Sequence, residues 1–180
     1  MDPYTIWRHY SKPFLKRVDS LISFGEFDLV HCDILPVAYA VRNRNGIFRS
    51  ITDHDVSYLK CLRIGQGSKN VFLKVFLFFE SLKLKRLESQ IFRQVDLGIA
   101  VSEVDREILQ RLCPEGKFFV VENGVDTRKF IPDDEVIEPN TLLWIGGLNQ
   151  LPNREGIYYF LKEVYPEIKE RMPNAKLEII

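Results

Sequence analysis

Four short stretches constrain this chain more than anything else in it: FDLVHC (27–32), GIFRSIT (46–52), LGIAV (97–101) and FFVVE (118–122). Each has the length of a strand, is rich in branched and aromatic residues, and lacks the strict alternation of a half-exposed strand. The segments between them read as helices. After the first strand, Asp33 and Pro36 make a helix start, and the helix is expected to run to about Arg44. A loop, DHD (53–55), follows the second strand and leads into a long helical zone whose main part is 68–94. Ser102 with Asp105 resembles a capping box opening EVDREILQRL. Strands buried on both sides and alternating with helices predict an α/β fold with a parallel sheet and helices on each face.

The segment FFVVENGVDTRKFIP (118–132) holds an apparent contradiction. Asn123-Gly124 after a strand is a strong hairpin signal, yet the residues that follow lack the alternation of a returning strand. Instead an acidic stretch, DDEVIEPN, leads to a restart of the pattern: TLLWI (141–145), a glycine loop GGLNQLPN, a helix over 154–172, and AKLEII (175–180). Ile157, Phe160, Leu161, Val164 and Ile168 give that helix one apolar face, with a kink expected at Pro166. Asn123 and Gly124 therefore read as a positive-φ turn sending the chain to a second sheet, with Asp126 bonding back to the turn's N–H groups.

Two incomplete Rossmann-like parallel-sheet units follow: residues 1–130, a linker at 131–140, and residues 141–180. The second unit, with two strands and one helix, leaves sheet edges open to self-association. The first begins on a helix, PFLKRVDSLI (13–22), with no strand before it. The chain thus reads as the middle of a larger two-domain protein.

Twenty-five basic and 25 acidic side chains cancel, so no global field draws this chain to nucleic acid. Its three cysteines are far apart, with no Cys-x-x-Cys. That argues against a disulfide scaffold or zinc knuckle and fits a reducing cytosol. The N-terminus has no signal-peptide core, and the longest apolar run, Val75 to Phe79, is too short to span a bilayer.

Several residues could carry chemistry. His54 stands where a parallel strand ends in a loop, the place where open α/β sheets present ligand groups. Asp53 and Asp55 flank it and would favour imidazolium. Alternatively, Asp53 caps the next helix and His54 is a solvated loop residue. His31, mid-strand, reads as a hydrogen-bonded interior histidine and His9 as a surface residue. In the loop at 146–156, Gly146 and Gly147 offer backbone N–H groups, and Asn153 is placed to cap the helix that follows. A helix N-terminus suits a phosphate, but the same residues also make an ordinary strand–helix turn. The helix at 68–94 sets six basic residues (Lys69, Lys74, Lys83, Lys85, Arg86, Arg93) against Glu80 and Glu88, six minus two giving +4. With Phe72, Phe76 and Phe79 it could lie on an anionic membrane surface, or pack into the core and expose a basic face. Ser102 reads as a cap rather than a nucleophile, because no base pairs with it.

The stretches VDLGIAVSEVDREIL, KFFVVENGVDTRKFIP and TLLWIGGLNQLPNREG, in that order, resemble bacterial family 4 glycosyltransferases of the GT-B fold. The likeness spreads over about residues 27–180. It implies sugar transfer from a nucleotide-diphospho sugar with retention of configuration. It also implies an acceptor-side first domain and a nucleotide-sugar-binding second domain. In relatives the histidine matching His54 in TDHD lies beside the donor sugar, which makes it the catalytic candidate. The loop after WIGG lies near the donor pyrophosphate. Relatives often carry Arg and Lys where this chain has Gly147 and Asn153, and here Arg154 stands to supply one charge. The family's first glycine loop and its Glu-x7-Glu pair are absent from these 180 residues.

The resulting expectation is a glycosyltransferase acting on a polysaccharide or lipid-linked acceptor. It would need no metal or other cofactor, because helix dipoles and basic side chains offset the leaving group's charge. It would be cytoplasmic, and peripheral at the inner face of the membrane if helix 68–94 binds there. Two rivals share the fold: a nucleotide-sugar 2-epimerase, and an inactive chain acting as a binding or assembly partner. For these 180 residues alone, the inactive state is expected over turnover.

Overall fold

The computed structural model describes residues 2–25, 27–42, 46–131 and 138–180. The expected helix end at Arg44 and the linker's residues 132–137 lie outside the described residues. The chain divides into two compact units, 1–124 and 125–180.

The first unit opens with two helices, α1 (Tyr4–His9) and α2 (Lys12–Ser23). Ser11 starts α2, its side chain accepting from Phe14 N–H, and the helix covers the predicted 13–22. Strands β1 (Leu29–Cys32), β2 (Phe48–Asp53), β3 (Leu97–Ala100) and β4 (Phe118–Val120) pair in parallel in the order β1-β2-β3-β4. All four predicted strands are present. Between β1 and β2 the described residues form a 3-10 helix, Leu35–Ala40, where a longer helix was expected. The helical zone after β2 is a hairpin of two helices, α3 (Ser57–Gly67) and α4 (Val71–Phe92). At their crossing, a Cβ on Gly65 would lie 3.1 Å from Leu77 Cβ, so a side chain there would require Leu77 to shift by a few tenths of an ångström. Asn70 starts α4 by accepting from Leu73 N–H. Helix α5 (Glu103–Leu112) then begins at Ser102, whose Oγ accepts from Asp105 N–H and donates to the Asp105 carboxylate.

The strand register places Cys32 beside Ile51, Ile51 beside Gly98, and Gly98 beside Phe118 on one face of the sheet. That face packs on Leu84, Leu87, Ile91 and Phe92 of α4 and Leu109 of α5, forming the core. Phe92 and Phe118 meet with ring centroids 5.0 Å apart. Helices on both faces were expected, and this is corrected. Successive strands joined in sequence order by crossovers of one hand put their helices on one side. The other face carries exposed Leu29, Phe48 and Phe119. His31 lies on that face. Its ring nitrogens reach Ser50 Oγ at 2.8 Å and Thr52 Oγ1 at 3.2 Å. It is hydrogen-bonded as expected, but exposed rather than interior.

The second unit pairs β5 (Thr141–Trp144) with β6 (Lys176–Ile179) in parallel. One helical rod covers them: α6 (Leu151–Tyr159), a π-helical segment (Phe160–Val164) and α7 (Tyr165–Arg171). Pro166 has no N–H to give the preceding turn, and the π segment just before it absorbs the mismatch without ending the rod. The core here is small. Ile157 and Ala175 are its buried apolar residues among those described, while Ile145 and Ile180 are exposed.

The turn at Asn123-Gly124 is also corrected. Gly124 has no positive φ, because the chain does not fold back on β4 and no hairpin geometry is imposed. Asp126 bonds forward rather than back. Its Oδ1 accepts from Arg128 N–H at 3.1 Å, and its carbonyl accepts from Lys129 and Phe130. The Arg128 hydrogen bonds hold the Asp126 carboxyl below its usual range.

Candidate functional site

The carboxyl ends of β1 and β2 bring Asp33, Asp53, His54 and Asp55 together. His54 is partly exposed, its side chain 40% accessible, and its Nε2 lies 3.2 Å from Asp33 Oδ1. A carboxylate accepts, so the contact with Asp33 is made by an Nε2 that carries a proton; in the neutral ring Nδ1 is then the acceptor. The flanking acids were expected to serve His54, but they do other work. Asp55 pairs with Lys60 at 2.6 Å.

Asp53 turns inward and is 3% exposed. It does not cap α3, whose first residue follows Val56 with no side-chain cap. Its Oδ2 is buried with no hydrogen-bond partner. Burial, then the nearby Glu88, Asp105 and Asp55, push its pKa to about 8 against a smaller pull from Lys60. At neutral pH the group is therefore mostly the uncharged acid. A buried polar atom left unpaired costs about 1–3 kcal/mol, so its position calls for an explanation.

The open end of α3 is held from a distance. Glu88 of α4, fully buried, accepts from Ser57 N–H at 2.6 Å and from Tyr58 N–H at 3.3 Å. These two bonds pull its pKa down, but burial outweighs them and the pKa rises to about 7. Glu88 thereby fixes the start of α3, and with it the loop that carries His54. Nothing in the sequence reading gave it this role. The signal was its phase: Glu80, Leu84 and Glu88 are spaced by four, which puts both acids in line with the apolar stripe of Leu84, Leu87 and Ile91. Glu80, 5% exposed, is held likewise by Tyr4 N–H and Lys83.

Beside this loop lies a cavity of about 410 Å³, lined by Asp53, His54, Asp55 and Lys60 and by apolar side chains of the 3-10 helix, α3 and α4. No group of three His, Cys, Asp or Glu among the described residues is placed to hold a metal ion.

In the second unit, the glycine loop after β5 leads into α6. Gly146 closes the sheet by donating to Ile180 O. Asn153 does not cap the helix, which starts two residues earlier at Leu151, after Gln150 and with no side-chain cap. Pro152, fixed in φ, moves the start forward. Asn153 Nδ2 instead donates back to Gly147 O at 3.3 Å, tying the loop to the helix. Arg154 is exposed beside an apolar hollow formed with Leu148, Ile157, Tyr158, Leu161 and Ile179.

A four-stranded parallel sheet with helices packed on it defines a Rossmann-like α/β protein. The family model described as Glycosyltransferase Family 4 matches residues 3–129. The chain belongs to that family. The match takes in the whole β1–β4 sheet and ends before the glycine loop. No curated protein matches the chain.

Proposed function

We propose that this chain carries the acceptor-side domain and the start of the nucleotide-sugar-binding domain of a retaining glycosyltransferase. The donor is a nucleotide-diphospho sugar and the acceptor a carbohydrate or lipid-linked hydroxyl. The donor's C1–O bond breaks, the acceptor oxygen takes C1, and its proton leaves with the departing diphosphate. The observation that carries this reading is the His54–Asp33 pair at the sheet's carboxyl end. With Nε2 held by Asp33, Nδ1 can accept a hydrogen bond from a donor-sugar hydroxyl. Taken by itself, the second unit offers a diphosphate the uncapped N–H groups of α6, the Gly146–Gly147 loop and Arg154. Helix dipole and guanidinium then offset the leaving group's charge, so no bound metal or other cofactor is required.

Titrating the protein with a nucleoside diphosphate tests the donor half. Weak binding, on the order of millimolar or about −4 kcal/mol, should shift NMR signals of residues 146–156. Arg154→Ala and added salt should each weaken it. No shifts at high ligand would overturn the donor assignment.

A second reading, attachment of the same protein to a membrane surface, is favoured by the face of α4. Phe72 is 88% exposed, and Val75, Phe76 and Phe79 are exposed near Lys69 and Lys74. Among the described residues no helix is long and apolar enough to cross a membrane. Apolar rings beside lysines fit peripheral binding to anionic lipid on the cytoplasmic side.

A further inference from the structure

Asp53 and Glu88 are two buried acids, and the contrast between them is informative. Glu88 uses its oxygens on the backbone of α3, which explains its place. Asp53 is as deeply buried, but its Oδ2 has no partner, and Asp53 lines the cavity of about 410 Å³ whereas Glu88 does not. The rest of the wall is mostly apolar: Ile34, Leu35, Ile64, Leu77 and Leu84. At the rim, Lys60 is taken by Asp55 and His54 by Asp33.

We propose that this cavity binds an uncharged ligand with a hydrocarbon body and a hydroxyl group, the hydroxyl pairing with the carboxyl of Asp53. An apolar pocket of about 300–1,000 Å³ with a few placed polar groups is the common form of a small-molecule site. Held uncharged by its surroundings, the Asp53 carboxyl offers one donor and one acceptor, the complement of an alcohol. An anionic ligand meets the opposite conditions. The carboxylates of Asp33 and Asp55 lie at its rim, and the lysine lining it, Lys60, is already paired with Asp55. His54 lines the same cavity, so the hydroxyl bound here is placed to be the glycosyl acceptor. That last identification rests on the transferase reading; the binding chemistry does not.

The test is NMR titration of the full chain with geraniol, an apolar alcohol, and separately with geranyl phosphate. Geraniol should give saturable shifts in the methyl signals of Ile64, Leu77 and Leu84, and geranyl phosphate should bind at least about tenfold more weakly. Asp53→Asn keeps a donor and an acceptor and should bind geraniol as the parent does. Asp53→Leu should weaken it by about fivefold or more. Ile64→Trp, at an exposed edge of the wall, should block binding by filling the cavity. The proposal is overturned if geraniol gives no shifts, if Asp53→Leu or Ile64→Trp binds it unchanged, or if the phosphate binds as tightly. Intact, Asp53-dependent geraniol binding with no nucleoside diphosphate binding at residues 146–156 would instead count against the transferase reading and leave this site standing.

Discussion

Glu88, buried near the C-terminal end of α4, accepts a hydrogen bond from the backbone N–H of Ser57 at 2.6 Å, 31 residues away in sequence. It does for α3 what a local cap would do, and it links the helical hairpin to the loop holding His54. Glu88→Ala leaves two N–H groups without an acceptor and is expected to cost about 1–3 kcal/mol or more in denaturant unfolding. Glu88→Gln keeps one acceptor oxygen and should cost less. Equal losses in the two variants would show that the carboxylate's bonds to Ser57 and Tyr58 are not what matters.

The pH dependence should run opposite to ordinary acid denaturation. Asp53 rises from 3.8 to about 8 and Glu88 from 4.5 to about 7 in the folded protein. The folded state therefore binds more protons than the unfolded one between about pH 4 and 8. Their contribution is fully present below about pH 4 and is lost as pH rises through 7 and then 8. Thermal unfolding of the first unit should occur at lower temperature at pH 9 than at pH 6. Asp53→Asn, which resembles the protonated acid, should flatten the upper part of that decline and lose no helix cap. A Tm that rises steadily from pH 6 to pH 9 would contradict the assignment.

Much of the sheet was legible because its information is local. Runs such as LGIAV and FFVVE need no distant partner to be read as strands, and Ser102 capped α5 where the motif predicted. What escaped was whatever a distant residue decides. A helix cap was one of two readings of Asp53, because it precedes a helix, but Glu88 fills that role and Asp53 faces the interior. Asn123-Gly124 was expected to make a positive-φ turn, but the chain leaves β4 through ordinary negative-φ backbone there. Asn153 was read as a cap although Pro152, one position before it, already lay inside the helix. His54 could be marked from its position after a strand, but its partner Asp33 ends a different strand and is brought near only by the β1–β2 register.

The exposed face of α4 predicts binding to vesicles of phosphatidylserine and phosphatidylcholine, measured by co-sedimentation. The double substitution Phe72→Ser and Phe76→Ser should reduce the bound fraction several-fold, because each ring buries on the order of 2 kcal/mol of apolar surface in the interface. Both side chains are exposed, so the fold should tolerate the change. Unchanged sedimentation would remove the membrane from this account.

The most direct test of the account is sugar transfer by the full-length protein carrying His54→Ala. A hydrogen bond to the donor sugar that strengthens as the glycosidic bond stretches acts on turnover more than on donor affinity. The account predicts a fall in kcat of about 10²-fold or more, roughly 2.7 kcal/mol of barrier, with donor affinity reduced far less. Stability should change little, since the His54 side chain is 40% accessible and sits on a loop. Near-normal kcat in a folded His54→Ala protein would contradict it and leave His54 a solvated loop residue held by Asp33.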